Sequence, residues 1–137
     1  MKVFKVYDEV YCREFRLLIG TVDEACRYLK RLEWGDKRIR EFRKASKQAD
    51  GLCSIGETGA IAVWMPEFSG TPAEISVLAH ELMHAYMFVA EKLNLKIKGG
   101  TNHEMIYYVG MLLRRFLEPL SRMLEKRKKT EADDEQK

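Results

Sequence analysis

The chain has 137 residues, of which 46% are hydrophobic and 33% charged, and its formal net charge is +3 at neutral pH. This size and balance predict one soluble domain over residues 1–129 and exclude a membrane bundle, because the longest charge-free apolar runs, such as residues 105–113, are about half of the ~20 residues that cross a bilayer. Charged residues interrupt any signal-peptide core near the start, and the three cysteines form no CxxC pair, so we expect a reduced, cytoplasmic protein.

The first segment predicts a hairpin. Residues 3–7 and 11–19 each alternate between apolar and polar side chains, which is typical of half-buried strands. Asp8 and Glu9 lie between the two runs and suit a turn.

Two helices are predicted next. Thr21 and Glu24 form a capping box before an apolar face at helical spacing, which ends near Gly35, and a second helix runs to Gly51. From Arg27 to Lys47 there are nine basic residues against three acidic ones. This basic surface could contact phosphates, but it is more typical of a solvated helix face.

The middle of the chain predicts two short strands, residues 52–55 and 60–65, joined by a glycine-bounded turn. A long helix then begins at Thr71, which with Pro72 and Glu74 gives a complete helix start, and it continues to about Asn94.

Residues 95–100 are a predicted connector, and residues 101 to about 128 carry a helical apolar stripe that Pro119 could kink. The last segment, residues 130–137, has no hydrophobic pattern and predicts a disordered charged tail. These elements together predict an α+β fold, with a small, mainly antiparallel sheet of three or four strands covered by the last two helices.

The long helix contains the pattern H-E-x-x-H, as His80, Glu81 and His84. Residues four apart lie on one face of a helix, so two imidazoles can bind one zinc ion while the glutamate is rotated toward a water. The alternative is that these three residues form an exposed polar stripe that binds no ion.

A catalytic zinc takes three protein ligands, so a third must lie elsewhere. Two neighbouring candidates occur at the start of the last helix, Glu104 and His103. We favour Glu104, since a carboxylate suits a site with two histidines, although Thr101 and Glu104 also match a capping box. Tyr107 and Tyr108 follow, and either phenol could stabilise an oxyanion or simply pack.

Residues 59–116 resemble the HExxH zinc metallopeptidases, and more narrowly the gluzincins, including compact versions encoded by phages and mobile elements. The resemblance implies a zincin-like minimal core with Zn²⁺ held by His80, His84 and Glu104. It also implies Glu81 as general base, and residues 60–65 as the strand that pairs with extended substrate. One departure is Tyr108, which stands where larger gluzincins have an acidic residue that orients a ligand histidine.

The sequence therefore predicts a peptidase that hydrolyses peptide or protein substrates with a metal-activated water. One alternative is a non-catalytic protein stabilised by zinc. Another is a nucleic-acid-associated HExxH protease that uses the basic surface; we do not favour it, and we expect no membrane partner.

Overall fold

The computed structural model describes residues 1–95 and 103–137 of the chain. These residues form an α+β fold with a mixed four-stranded sheet and helices on both of its faces. The elements are β1 (Lys2–Asp8), β2 (Arg13–Ile19), α1 (Val22–Arg31), α2 (Asp36–Ser46), β3 (Leu52–Ile55), β4 (Ile61–Met65), α3 (Pro72–Lys92) and α4 (His103–Glu135).

The strand order in the sheet is β1-β2-β4-β3. The hairpin β1–β2 and the pair β3–β4 are antiparallel, as the sequence predicts, whereas β2 and β4 run parallel with Phe15 opposite Ile61. The parallel pair arises because α1, α2 and β3 lie between the two strands and return the chain to the end of the sheet where β2 began. The predominantly antiparallel sheet is thus confirmed, with one parallel pair at its centre.

The sheet separates two hydrophobic clusters. The larger one lies between the sheet and α3 and α4, and includes Leu17, Val63, Leu82 and Phe116. The smaller one lies between the opposite face and α1 and α2, where the strand residues Leu18, Ala62 and Trp64 meet the helix residues Ala25, Leu29 and Phe42. Both faces of β4 are covered, so all five of its residues are buried.

The predicted helix starts are confirmed at Thr21 and Thr71, where both halves of each capping box are formed. Helix α2 ends at Ser46 rather than at Gly51, and its Ser46 hydroxyl donates to the Arg43 carbonyl (2.8 Å). A serine that bonds to the preceding turn in this way competes with continued helix, which accounts for the earlier end.

Helix α4 is longer than the sequence predicts. It continues through Pro119 to Glu135, so residues 130–135 are helical in the structure and the prediction of a disordered tail is corrected there. The side chains from Glu125 onward are all exposed. Residues 125–135 contain neither glycine nor proline and are rich in Lys and Glu, so local helix propensity accounts for the extension. The predicted connector and the Thr101 capping box involve residues 96–102, outside the described part.

The turn between β1 and β2 is built on a fully buried carboxylate. Asp8 has no exposed surface, and it accepts hydrogen bonds from the backbone N–H groups of Val10 (2.9 Å) and Tyr11 (3.0 Å). The Tyr108 hydroxyl of α4 donates to the same carboxylate (2.7 Å). Burial and the neighbouring Asp8 raise the pKa of Tyr108 above its ordinary value, so the phenol stays protonated and able to donate. Asp8 thereby ties the hairpin to α4.

No helix of the described residues is sufficiently long and apolar to cross a membrane.

Replacing Tyr108 with Phe should lower the free energy of unfolding by about 1–3 kcal/mol, because the buried carboxylate loses a donor while the ring volume is kept. Chemical denaturation measures this change. The control is Tyr107→Phe, since Tyr107 is 77% exposed and its loss of a hydroxyl should cost little. Equal stabilities of the two variants would contradict the anchoring role of Asp8.

Candidate metal centre

Helix α3 has one buried and one exposed face. Its buried side chains, among them Leu78, Leu82 and Tyr86, pack into the larger cluster, while His80 and His84 are exposed on the other side. The helix therefore presents both imidazoles to solvent on a rigid element that the core holds in place.

The two histidines converge. Their Nε2 atoms lie 3.1 Å apart, and the ring centroids are separated by 4.8 Å. Two nitrogens bound to one tetrahedral zinc at 2.0–2.1 Å would be about 3.3 Å apart, so the spacing fits a shared ion. The same distance also suits an N–H···N hydrogen bond between two neutral rings.

Glu81 is largely buried, whereas both histidines are exposed. It is only 8% exposed, yet its carboxylate oxygens are not among the fully buried side-chain atoms that lack a hydrogen-bond partner; in the described part of the chain that group contains only Trp34 Nε1. It lies near the Cys53 thiol, whose pKa is raised by burial and further by the negative charge of Glu81. Cys53 is therefore protonated at neutral pH and supplies no thiolate ligand.

The start of β3 passes very close to Glu81. A Cβ atom added at Gly51 would lie 2.6 Å from Val77 Cγ1 and 3.4 Å from Glu81 Cγ. A glycine is thus needed where this backbone approaches α3, and the approach fixes β3 beside the general-base candidate.

The third-ligand candidates lie at the first turn of α4, and both are exposed. The Glu104 carboxylate accepts a hydrogen bond from the Tyr11 hydroxyl of the hairpin turn, and no contact to the histidine pair is present. Within residues 1–95 and 103–137, no three His, Cys, Asp or Glu side chains are gathered as a metal-binding group. The structure thus assembles two of the predicted ligands and the glutamate beside them, while Glu104 and His103 stay apart from the pair.

The two tyrosines that follow Glu104 differ in role. Tyr108 is buried, bonds to Asp8 and packs against the ring of Tyr86, with 5.4 Å between the ring centroids. It is therefore a packing and anchoring residue, not an oxyanion donor. Tyr107 is exposed to solvent.

The strand next to the site is β3, and this corrects the expectation for residues 60–65. Strand β4 is paired with β2 on one side and β3 on the other, so its backbone groups have no room for a further strand. Strand β3 lies at the edge of the sheet and has no partner beyond it among the described residues.

The register shows which groups of β3 face outward. The Gly56 N–H donates to the Ala60 carbonyl (2.7 Å), which makes this a hydrogen-bonded pair at the turn. Because hydrogen-bonded and non-bonded pairs alternate along an antiparallel ladder, Ile55 and Cys53 direct their N–H and C=O groups to the open edge. The Ile55 carbonyl there accepts from the Arg38 guanidinium. The backbone N–H and C=O groups of Cys53, whose thiol lies near Glu81, thus face the open edge.

A groove of 270 Å³ runs along this open edge between α2 and α3. Its walls are mostly apolar, with Phe88 on the α3 side and Phe42 on the α2 side. Phe88 lies seven residues after Glu81, on the same face of α3. The exposed Met83 and Met87 add apolar surface beside the histidines. The groove could not be predicted from the sequence, since its position depends on which strand forms the edge of the sheet.

The basic surface on α1 and α2 is partly engaged within the protein. Arg43 pairs with Asp23, which lowers the pKa of that carboxyl, and Arg38 bonds to β3. The remaining cations, including Arg27, Lys30 and Arg40, are exposed as a solvated helix face.

Comparison with protein-family models, with curated proteins and with solved structures found no significant match. The resemblance to gluzincins thus depends on the motif residues alone.

Substituting Gly51 with Ala should cost about 1–3 kcal/mol of unfolding free energy, because the new methyl group meets the stiff Val77 side chain and forces β3 away from α3. Thermal denaturation measures the loss. Gly110→Ala is the matched control: it adds the same methyl group within α4 where nothing lies within 4 Å, and it should stabilise the protein by about 0.5–1 kcal/mol. A neutral Gly51→Ala variant would refute the close approach.

Proposed function

We propose that the protein is a zinc-dependent peptidase of zincin-like architecture. The observation that carries the proposal is the convergence of the His80 and His84 Nε2 atoms on the helix that also carries the largely buried Glu81. Two imidazoles with suitable spacing are a ligand pair, and a carboxylate on the same helix is suited to accept a proton.

In this proposal His80, His84 and Glu104 hold the metal. Zinc held there would lower the pKa of a water to about 7 and would polarise the carbonyl of the peptide bond. The support for Glu104 is its position: Tyr108, one turn later, packs against Tyr86, so the first turns of α4 lie beside the second half of α3. Among residues 1–95 and 103–137, the Glu104 carboxylate has one hydrogen bond, which it accepts from the Tyr11 hydroxyl at the protein surface.

Glu81 acts as the general base. It takes a proton from the attacking water and returns it to the leaving amine. Because Glu81 is not a ligand, a substitution at this position can abolish proton transfer without removing the metal.

The substrate lies along the open edge of β3. An extended peptide paired with the outward groups of Cys53 would place a backbone carbonyl near Glu81, and it would satisfy the unpaired edge. The apolar walls of the adjacent groove, with Met83 and Met87, favour substrate residues with apolar side chains.

The purified protein should contain about one zinc per chain, and His80→Ala or His84→Ala should remove it. Metal analysis after dialysis measures the stoichiometry. A Glu81→Gln variant should keep its zinc yet lose peptidase activity by orders of magnitude, because only the base is removed.

Activity is followed on a denatured protein or a peptide library, where cleavage is detected by mass spectrometry. Full zinc occupancy in both histidine variants would exclude the helix site, and unchanged turnover in Glu81→Gln would exclude the mechanism.

The two candidates for the third ligand should respond differently. Replacing Glu104 with Ala should lower zinc affinity at least tenfold, since a ligand is lost, whereas His103→Ala should leave affinity largely intact. A chelator competition measures both constants. The reverse pattern would assign the third position to His103 and give a site with three histidines.

A further inference from the structure

Strand β1 forms the second open edge of the sheet, at the opposite end of the strand order from β3. The Arg115 guanidinium donates to the Tyr7 carbonyl (2.9 Å), so this carbonyl points away from β2. Because inward and outward groups alternate along an antiparallel pair, Val3 and Lys5 also direct their N–H and C=O groups away from β2. No strand lies beyond β1 in the described part of the chain, so these groups are available to an added strand.

A cationic cleft borders this edge on the face of the sheet that carries α4. Its volume is 510 Å³, and Glu131 is the acidic residue of its lining. The positively charged lining residues are Lys2, Arg122, Lys126 and Arg127. Within residues 1–95 and 103–137, none of these four cations forms an ion pair with a carboxylate. The cleft therefore holds positive charge that the described part of the protein does not neutralise.

The opposite face, which carries α1, presents the same charge beside the same edge. Lys5 points to this face, because it has the same parity on β1 as Val3, which packs against the smaller hydrophobic cluster. Arg27 and Arg31 line a cleft of 300 Å³ there, together with Val3. Glu24, the acidic residue of this cleft, is already paired with the N-terminal ammonium (2.7 Å). Cations thus lie on both faces of the sheet beside the open edge of β1.

An extended peptide paired with β1 would project successive side chains toward the two clefts in turn, because side chains alternate between the faces of a sheet. Acidic side chains on that peptide would meet cations on both faces. A phosphate backbone offers only acceptors and would leave the outward carbonyls of Val3 and Lys5 without donors, whereas a peptide backbone offers donors and acceptors. We propose that this edge docks an acidic, extended segment of a partner protein, which adds a fifth strand to the sheet. The docking site needs no metal and is independent of the proposed peptidase site.

The test measures the binding of a short labelled peptide of Glu, Asp and Thr residues by fluorescence anisotropy. Reversing two charges in the α4 cleft, with Arg122→Glu and Lys126→Glu together, should weaken binding roughly tenfold or more, because attraction becomes repulsion. Arg27→Glu with Arg31→Glu should weaken binding in the same way from the other face.

The matched control is Lys37→Glu with Lys44→Glu. Both lysines are exposed on α2, outside the two clefts, and their reversal makes the same change in net charge. This variant should bind the peptide within about twofold of the wild type, since distant exposed charges are screened by salt. Wild-type affinity in the α4 variant, or an equal loss in the control, would overturn the proposal.

Hydrogen exchange tests the strand addition itself. The amides of Val3 and Lys5 should become protected when the peptide binds, because their outward N–H groups gain acceptors. Binding without this protection would reduce the contact to charge attraction and overturn the added strand. A single-stranded oligonucleotide is measured in parallel and should bind more weakly than the peptide. Tighter binding of the oligonucleotide, lost in the α4 variant, would assign the cleft to nucleic acid instead.

Discussion

The hydrogen bond from the Tyr108 hydroxyl to the buried Asp8 carboxylate is the constraint on which the arrangement of the site depends. It joins the first strand to the last helix across 100 positions of sequence. A carboxylate with no exposed surface must be satisfied, and Asp8 obtains its donors from two backbone groups of its own turn and from α4. A shift of the start of α4 along the sheet would remove the Tyr108 hydroxyl as a donor to the Asp8 carboxylate. Through the contact of Tyr108 with Tyr86, the same bond also fixes α4 against α3.

Helix α3 contributes to the core on one face and presents polar side chains on the other. Its apolar face contributes Leu78, Leu82 and other fully buried side chains to the core, which stabilises the protein. Glu81 is the polar exception among these buried residues, at 8% exposure, and its carboxylate oxygens are not among the fully buried side-chain atoms that lack a hydrogen-bond partner. The close approach of Gly51 to Val77 fixes the start of β3 beside this residue.

The features that the sequence predicted correctly are local ones. Capping boxes at Thr21 and Thr71 depend on residues three apart, and the convergence of His80 and His84 depends on residues four apart, so each follows from helix geometry alone. The order of strands does not. Whether β4 or β3 forms the edge depends on how the segments pack into the two hydrophobic clusters on opposite faces of the sheet. The hydrophobic pattern of a single segment does not show which strands will lie beside it in the sheet. Asp8 gave no signal of burial either, because an aspartate before a charged glutamate is typical of an exposed turn.

The same distinction applies to the proposed metal site. The histidine pair needs only a folded α3, since its spacing is set within one helical turn, whereas a third ligand on α4 needs the whole chain of contacts from Asp8 through Tyr108 to be in place. In the proposed function, metal affinity and the stability of the hairpin are therefore linked. A metal that binds only the folded arrangement stabilises that arrangement, and a substitution that destabilises the arrangement weakens metal binding.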